Sequence, residues 1–239
     1  MIIYSQRDKR WADYSYSAKP PHTETIKSSG CGVTSGAMIV ANLTENKVTP
    51  IDIAKLSLKN GHRIDGVGTS HSLYPELAKM YNLKCKKSYD IEEAIKCVNK
   101  GGLAVCSTNG GENKLFSTGG HLFIMCGEDK KVCEFVDPDN YPGKYDTSYR
   151  SVRCYEKNSK IYVKKEEAKK HISVFYLFER MDKMINKYSY DNTVNALVEL
   201  GITSMDNMVY WEKALRGEEA LKSEFVRTLL DRLIKKISG

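Results

Sequence analysis

A chain of 239 residues, 41% hydrophobic and 28% charged, is sized for one large domain or for one of about 180 residues with a small appendage. No apolar run approaches the ~18 residues of a membrane span, and a formal net charge of +7 points to an anionic partner without naming one. Seven cysteines, at 31, 85, 97, 106, 126, 133 and 154 and with no CxxC pair, argue against a disulfide scaffold or zinc ribbon and for reduced thiols.

The first residues, Met1-Ile2-Ile3-Tyr4-Ser5-Gln6-Arg7-Asp8, lack a basic segment followed by an apolar one. The expectation is a protein made in the cytoplasm without a signal peptide. A polar, aromatic opening and a loop containing Pro20-Pro21 lead to Ser28-Ser29-Gly30-Cys31-Gly32-Val33. Val33, Ala37, Val40 and Ala41 fall at i, i+4, i+7 and i+8, a buried helical face. Ser28 and Ser29 are candidate caps, and Gly30 and Gly32 let the backbone crowd close to a ligand. Cys31 therefore sits near a helix N-terminus, where the dipole and unpaired N–H groups favour a thiolate. Its bland alternative is a cysteine that only packs.

Thr49-Pro50 has the cap and first-turn pattern of a helix over 51–58 that stops at Asn60-Gly61, and residues 66–70 read as a flexible loop. Further helices are expected over about 73–81 and from the cap Asp90 through Val98 to Gly101-Gly102. Short apolar, β-branched and aromatic runs follow at 103–107, 121–127, 132–136, 161–163 and 172–178, which read as strands. Helices first and an antiparallel sheet afterwards is an α+β plan.

A polar connector near 181–190 precedes three apolar sets at helical spacing: Val194 to Leu200, Met208 to Leu215, and Phe225 to Ile237. The organisation expected is a domain over 1–180 and a small three-helix module over 181–239, with a core so small that it leans on the first domain. Residues 181–239 carry nine basic and nine acidic groups, so the whole positive excess lies in 1–180. Those charges are scattered and not striped with aromatics, so nucleic acid is not the expected partner; an anionic bacterial wall fits as well.

Two further features give Cys31 partners. Gly119-Gly120-His121 places a histidine at the mouth of an apolar strand, and Phe135-Val136-Asp137-Pro138 ends the next strand with a carboxylate. An antiparallel hairpin would bring His121 and Asp137 together at one sheet edge. A thiol nucleophile needs a base, and the base needs a group that holds its orientation. Singly, each residue has a structural explanation; in this order they read as catalytic.

Tyr4-x-Gln6-x-Asp8-x-x-Trp11, Ser29-Gly30-Cys31-Gly32-Val33-Thr34-Ser35, Gly120-His121 and Val136-Asp137-Pro138 together resemble the C39-like branch of the papain-like cysteine peptidases, over roughly residues 2–178. The resemblance implies a papain-like fold in which Cys31 attacks a carbonyl carbon, His121 is general base and then acid, and Asp137 orients His121. It also implies that Gln6 and the Cys31 backbone N–H hold the oxyanion. The 25 residues between Gln6 and Cys31 exceed the short spacing of papain and bacteriocin-processing relatives, so the Pro20-Pro21 loop would be an insertion.

His22 and His171 read as surface residues, and His62 and His71, which flank the 66–70 loop, as candidates for lining a substrate cleft. No HExxH, phosphate-cradling loop or dinucleotide fingerprint occurs, so neither a metal nor another cofactor is expected. The tail, from Asp191 through Leu200-Gly201-Ile202 and Tyr210-Trp211 to Leu233-Ile234, is similar to helical modules at the C-terminus of phage and Gram-positive cell-wall hydrolases. That likeness implies a phage-type endolysin that cleaves peptidoglycan peptides after release to the wall, with the tail as targeting module. The rivals are an intracellular processing peptidase or acyl-transfer enzyme with the same triad, and a wall- or protein-binding module whose triad is vestigial. Oligomeric state is left open by the sequence.

Overall fold

The computed structural model describes residues 1–109, 114–181 and the single positions 213, 227, 228, 231 and 232. The expected module over 181–239, Tyr210 and Trp211 included, thus lies outside the described residues except at Met181 and those five positions, which are helical. Met1–Met181 form one compact unit, to which every element below belongs.

Thr25 caps the short α1 (Ile26–Ser29) in a reciprocal capping box with Ser28. One residue later α2 (Cys31–Leu43) begins at Gly30 with no side-chain cap. Ser28 therefore caps the helix before Cys31, not the helix that Cys31 opens, and the first N–H groups of α2 are left without a side-chain acceptor. Nor is α2 a one-sided amphipath: Gly32 through Ala41 and Leu43 are all buried, which makes it the central helix of the helical layer.

Thr49 and Asp52 form the capping box of α3 (Pro50–Lys59), which ends at Asn60 before Gly61 at φ +73°. The stretch read as a loop is a small hairpin, β1 (Arg63–Ile64) against β2 (Gly68–Thr69); strands of two residues carry no alternation to read. Then come α4 (Leu73–Met80), β3 (Leu83–Ser88) and α5 (Ile91–Asn99), whose cap Asp90 accepts from the Glu92 N–H.

The remaining strands are β4 (Leu103–Thr108), β5 (His121–Asp129), β6 (Val132–Val136), β7 (Cys154–Lys157), β8 (Lys160–Lys164) and β9 (Val174–Arg180), with α6 (Lys165–His171) before the last. They pair antiparallel with β3 in the order β3-β9-β4-β5-β6-β8-β7. β3 and β7 are edge strands, and α6 is a charged helix; none carries the apolar pattern that would announce it.

Alternation along the strands divides the core in two. Val105, Leu122, Ile124, Val136, Tyr176 and Phe178 face the layer of α2, α3 and α4. Ala104, Cys106, Phe123, Met125, Phe135 and Leu177 face α5 and α6. Among the described residues no helix is long and apolar enough to cross a membrane.

The two glycines around Cys31 crowd protein, not ligand. A Cβ on Gly30 would lie 2.5 Å from the Ile26 carbonyl oxygen, and one on Gly32 would lie 2.5 Å from Cβ of Thr69 and 3.0 Å from Leu122. Gly30→Ala and Gly32→Ala are each expected to lower unfolding free energy in urea by about 1–3 kcal/mol, because backbone or strand must shift. Gly119→Ala, with nothing within 4 Å of its Cβ, should stay within about 0.5 kcal/mol of the parent.

Candidate active site

Cys31 opens α2 at its N-terminus and is half-buried against the helical core. β5 begins at His121, and its pairing with β6 (Ile124 opposite Val136) carries Asp137, the residue after β6, up beside that start. The hairpin turns on Lys130 and Lys131, both at positive φ, the backbone of a tight two-residue connection. Sixteen residues apart, His121 Nε2 and Asp137 Oδ1 meet at 2.7 Å. With Nε2 on the carboxylate, Nδ1 is the nitrogen left for the hydrogen bond between His121 and Cys31.

Asp137 is the most heavily bonded group of the three. Its Oδ2 accepts from Lys144 Nζ at 2.6 Å and from the Tyr145 hydroxyl at 2.5 Å, and its Oδ1 also takes the Asp139 N–H at 2.8 Å. Burial alone would favour the neutral acid, but the charge and hydrogen bond of His121, then those of Lys144, hold the carboxyl well below the usual range. Nothing in the sequence marks Lys144 and Tyr145: both lie in an irregular segment after β6, where a lysine is expected to face water.

His121 shows the mirror effect. Burial would depress its pKa, yet the Asp137 charge and hydrogen bond, followed by those of Cys31, raise it to about 9. For the Cys31 thiol, burial pushes upward, while the His121 hydrogen bond and charge and the Leu122 backbone bring it below its ordinary value; Asp137 opposes weakly. The arrangement favours a thiolate–imidazolium pair, the nucleophilic form of cysteine.

The other six thiols differ in sign. Burial pushes Cys85, Cys97 and Cys133 up to about 12, Cys126 and Cys154 to about 11, and Cys106 well above its usual value. All seven are free.

Gln6 is buried, anchored by its own N–H on the Pro138 carbonyl at 2.7 Å, immediately after Asp137. Its side-chain amide donates to the Lys27 carbonyl at 2.7 Å, while its Oε1 is buried without a partner. One amide proton is thus engaged by the segment leading to Cys31, and one remains. The turn that holds Gln6 is built by the motif around it: Trp11 Nε1 donates to the Ser5 carbonyl at 2.7 Å, and Tyr4 packs edge-on against Trp11.

The other histidines fall apart as a group. His62, read as a cleft residue, is buried with both ring nitrogens engaged, by Ser72 at 2.8 Å and Glu76 at 2.6 Å. His71 packs edge-on against Tyr176, and burial pulls its pKa down. His171, read as a surface residue, is half-buried, because its ring packs edge-on against Tyr149 and meets the Tyr149 hydroxyl at 3.3 Å. His22 is exposed as expected. Among the described residues no group of three His, Cys, Asp or Glu side chains could hold a metal ion.

No family model and no curated protein matches the chain. Among solved structures it is similar to a C39-like peptidase from Bacillus anthracis, at 19% identity and TM-score 0.40, over 62% of this chain and 88% of that one. It is similar also to the peptidase domain of Streptococcus ComA, a bifunctional ABC transporter involved in a quorum-sensing pathway, at 14% identity and TM-score 0.42, over 64% and 92%.

The opposite shifts predict a pH signature. Iodoacetamide at neutral pH should label Cys31 ahead of the other six thiols, with reactivity persisting below the range where ordinary thiols fall silent. Because His121 supplies the hydrogen bond and charge that lower the thiol, His121→Ala should move the midpoint of the Cys31 alkylation profile upward. Peptide mapping after timed alkylation reads both effects, and equal labelling of all seven thiols would contradict them.

Proposed function

We propose that this chain is a papain-like cysteine peptidase acting through Cys31, His121 and Asp137. The observation that carries the reading is the 2.7 Å hydrogen bond from His121 to Asp137, together with the His121 imidazole that lowers the Cys31 pKa at the start of α2. The Cys31 thiolate attacks the scissile carbonyl carbon, forming the C–S bond as the carbonyl electron pair moves onto oxygen. The Cys31 backbone N–H and the remaining amide proton of Gln6 are the donors for that oxyanion. When the intermediate collapses, the C–N bond breaks and His121 gives its proton to the leaving amine. His121 then takes a proton from water, whose oxygen attacks the thioester and releases the acid and the thiolate.

The finer reading is a phage-type endolysin that cleaves the peptides of Gram-positive peptidoglycan. Supporting it are the concentration of positive charge in residues 1–180, suited to an anionic wall, and the similarity of the tail sequence to wall-hydrolase modules. On this reading residues 181–239 target the wall and take no part in the chemistry.

Cys31→Ala and His121→Ala should each lower kcat/KM by about 10³-fold or more, and Asp137→Asn by about 10²–10⁴-fold, with folding retained. Gln6→Ala should lose about 10²–10³-fold, mainly in kcat, as loss of one oxyanion donor does. Turbidity loss of Gram-positive walls, with mass analysis of the fragments, tests the substrate. Cleavage of soluble peptides but not walls would favour the processing or acyl-transfer alternative; full activity of Cys31→Ala would remove the peptidase reading.

A further inference from the structure

Lys144 belongs to the irregular segment between β6 and β7, yet its side chain is only 3% exposed and its Nζ meets Asp137 Oδ2 at 2.6 Å. Local structure delivers it there. Gly143, at φ +81°, turns the chain just before it, and the Lys144 N–H bonds the Tyr141 carbonyl at 3.0 Å. Arg150, itself buried, then clamps the Lys144 carbonyl with its guanidinium at 2.6 Å.

The groups around the ammonium differ in what they offer. Asp139 supplies a carbonyl at 3.3 Å and a carboxylate at 3.8 Å, but that carboxylate pairs more closely with Arg7, at 2.8 Å. The rings of Tyr141 and Tyr145 lie 5.9 and 5.7 Å from Nζ, and the Tyr145 hydroxyl shares Asp137 Oδ2 with it at 2.5 Å. On the other carboxylate oxygen stands His121, at 2.7 Å, and beyond His121 comes Cys31. Asp137 is thus shared between an imidazole on one oxygen and an ammonium on the other.

Neutral donors orient a carboxylate equally well, and Tyr145 is one. What an ammonium adds is charge. In the resting site the Cys31 thiolate, His121 imidazolium, Asp137 carboxylate and Lys144 ammonium alternate in sign and cancel. In the tetrahedral intermediate the negative charge has moved from sulfur to the carbonyl oxygen, and the four still cancel. In the thioester the sulfur is neutral, His121 has given its proton to the leaving amine, and Asp137 and Lys144 cancel alone. Without the lysine, each state would hold one uncompensated negative charge in a site largely removed from water, where such a charge is costly.

We propose that Lys144 is a positioning residue of the peptidase: it holds Asp137 with Oδ1 turned to His121, keeps the site electrically neutral through acylation, and so fixes the pH range of the thiolate–imidazolium pair. The proposal rests on the peptidase reading above and deepens it.

The direction of the effect follows from charge alone, because a cation favours the deprotonated form of every titratable group near it. Lys144 Nζ and His121 Nε2 sit on the two oxygens of one carboxylate, within about 8 Å of each other. At that range a unit charge in a partly polar interior is worth on the order of one pH unit. Cys31 is further off and feels less. Asp137 keeps His121, Tyr145 and the Asp139 N–H when the lysine is lost, so it stays ionised, and removal of the ammonium raises the midpoints of both members of the pair.

The test uses the full chain. Alkylation of Cys31 by iodoacetamide across pH reads the thiol midpoint, and kcat/KM on a soluble peptide across pH reads both midpoints. In Lys144→Met both limbs should move to higher pH, the basic limb by about one unit, whereas Lys144→Arg should keep the parent profile. Tyr145→Phe, which loses a donor and no charge, should move the limbs far less. Should Lys144→Met fail to fold, Lys144→Gln, which keeps a donor for the carboxylate, decides in its place. Limbs that stay where they are while urea stability falls would make Lys144 a packing residue and overturn the proposal. So would a basic limb that moves down, or a Lys144→Arg profile displaced as far as that of Lys144→Met. A shifted alkylation profile with no turnover of any peptide supports the action of Lys144 on the pair and removes the peptidase reading instead.

Discussion

The carboxylate of Asp137 has no solvent exposure at its side chain, and an acid removed from water in this way would ordinarily take up a proton. Four donors prevent it: His121 Nε2, Lys144 Nζ, the Tyr145 hydroxyl and the Asp139 N–H. They come from three parts of the chain: His121 from the start of β5, Lys144 and Tyr145 from the segment after β6, and the Asp139 N–H from the turn next to Asp137 itself. The order of dependence then runs outward. A charged Asp137 engages His121 Nε2 and leaves Nδ1 for Cys31. The same charge stabilises the imidazolium, and the imidazolium stabilises the thiolate. Lys144 is bound into this order as well, since a buried ammonium needs Asp137 as much as Asp137 needs it.

The seven cysteines show how far position decides chemistry. Cys106 and Cys133 lie in strands with apolar neighbours on the sheet faces, where burial is the largest influence and drives their thiols up. Cys31 suffers burial too, but it stands where a helix begins and where an imidazole arrives from β5. The N-terminus of α2 carries no side-chain cap, so its N–H groups are free to favour negative charge on the sulfur and on an oxyanion beside it. A serine in the capping position would have competed for those donors.

Cys31, His121 and Asp137 were legible in the sequence because each sits at an element boundary that local chemistry announces: glycines before an apolar helix, glycines before an apolar strand, Asp-Pro after one. The helices α2 to α5 and the central strands were legible for the same reason, through caps and periodicity. What stayed hidden depends on contacts made far away. β3 reads Leu-Lys-Cys-Lys-Lys-Ser and earns its place only by pairing with β9. Lys144 looks like a solvated lysine until Asp137 is placed beside it. His62 looks like a cleft residue until Ser72 and Glu76 take both its nitrogens. Residue identity gave no warning in any of these cases, because the partner is seven or more residues away along the chain.

The segment between Gln6 and Cys31 shows why sequence distance misleads. Its ends are zipped together: the Lys27 N–H donates to the Ala12 carbonyl, Ile26 to Tyr14, and Tyr16 to Glu24, with a bridge between Ser15 and Thr25. The intervening loop is pinned to the β1–β2 hairpin, where Asp65 accepts from the Ala18 and Lys19 N–H groups and Glu24 pairs with Arg63 at 2.6 Å. Glu24 also accepts from the Gly66 N–H and from the Ser29 hydroxyl, two residues before Cys31. Tyr16, beneath the Arg63 guanidinium, bonds Thr69, the residue against which Gly32 is packed. One carboxylate therefore ties the Pro20-Pro21 loop, the hairpin and the approach to α2 into a single unit. The loop residues become part of the wall that fixes the start of α2, and Gln6 reaches that wall through Lys27.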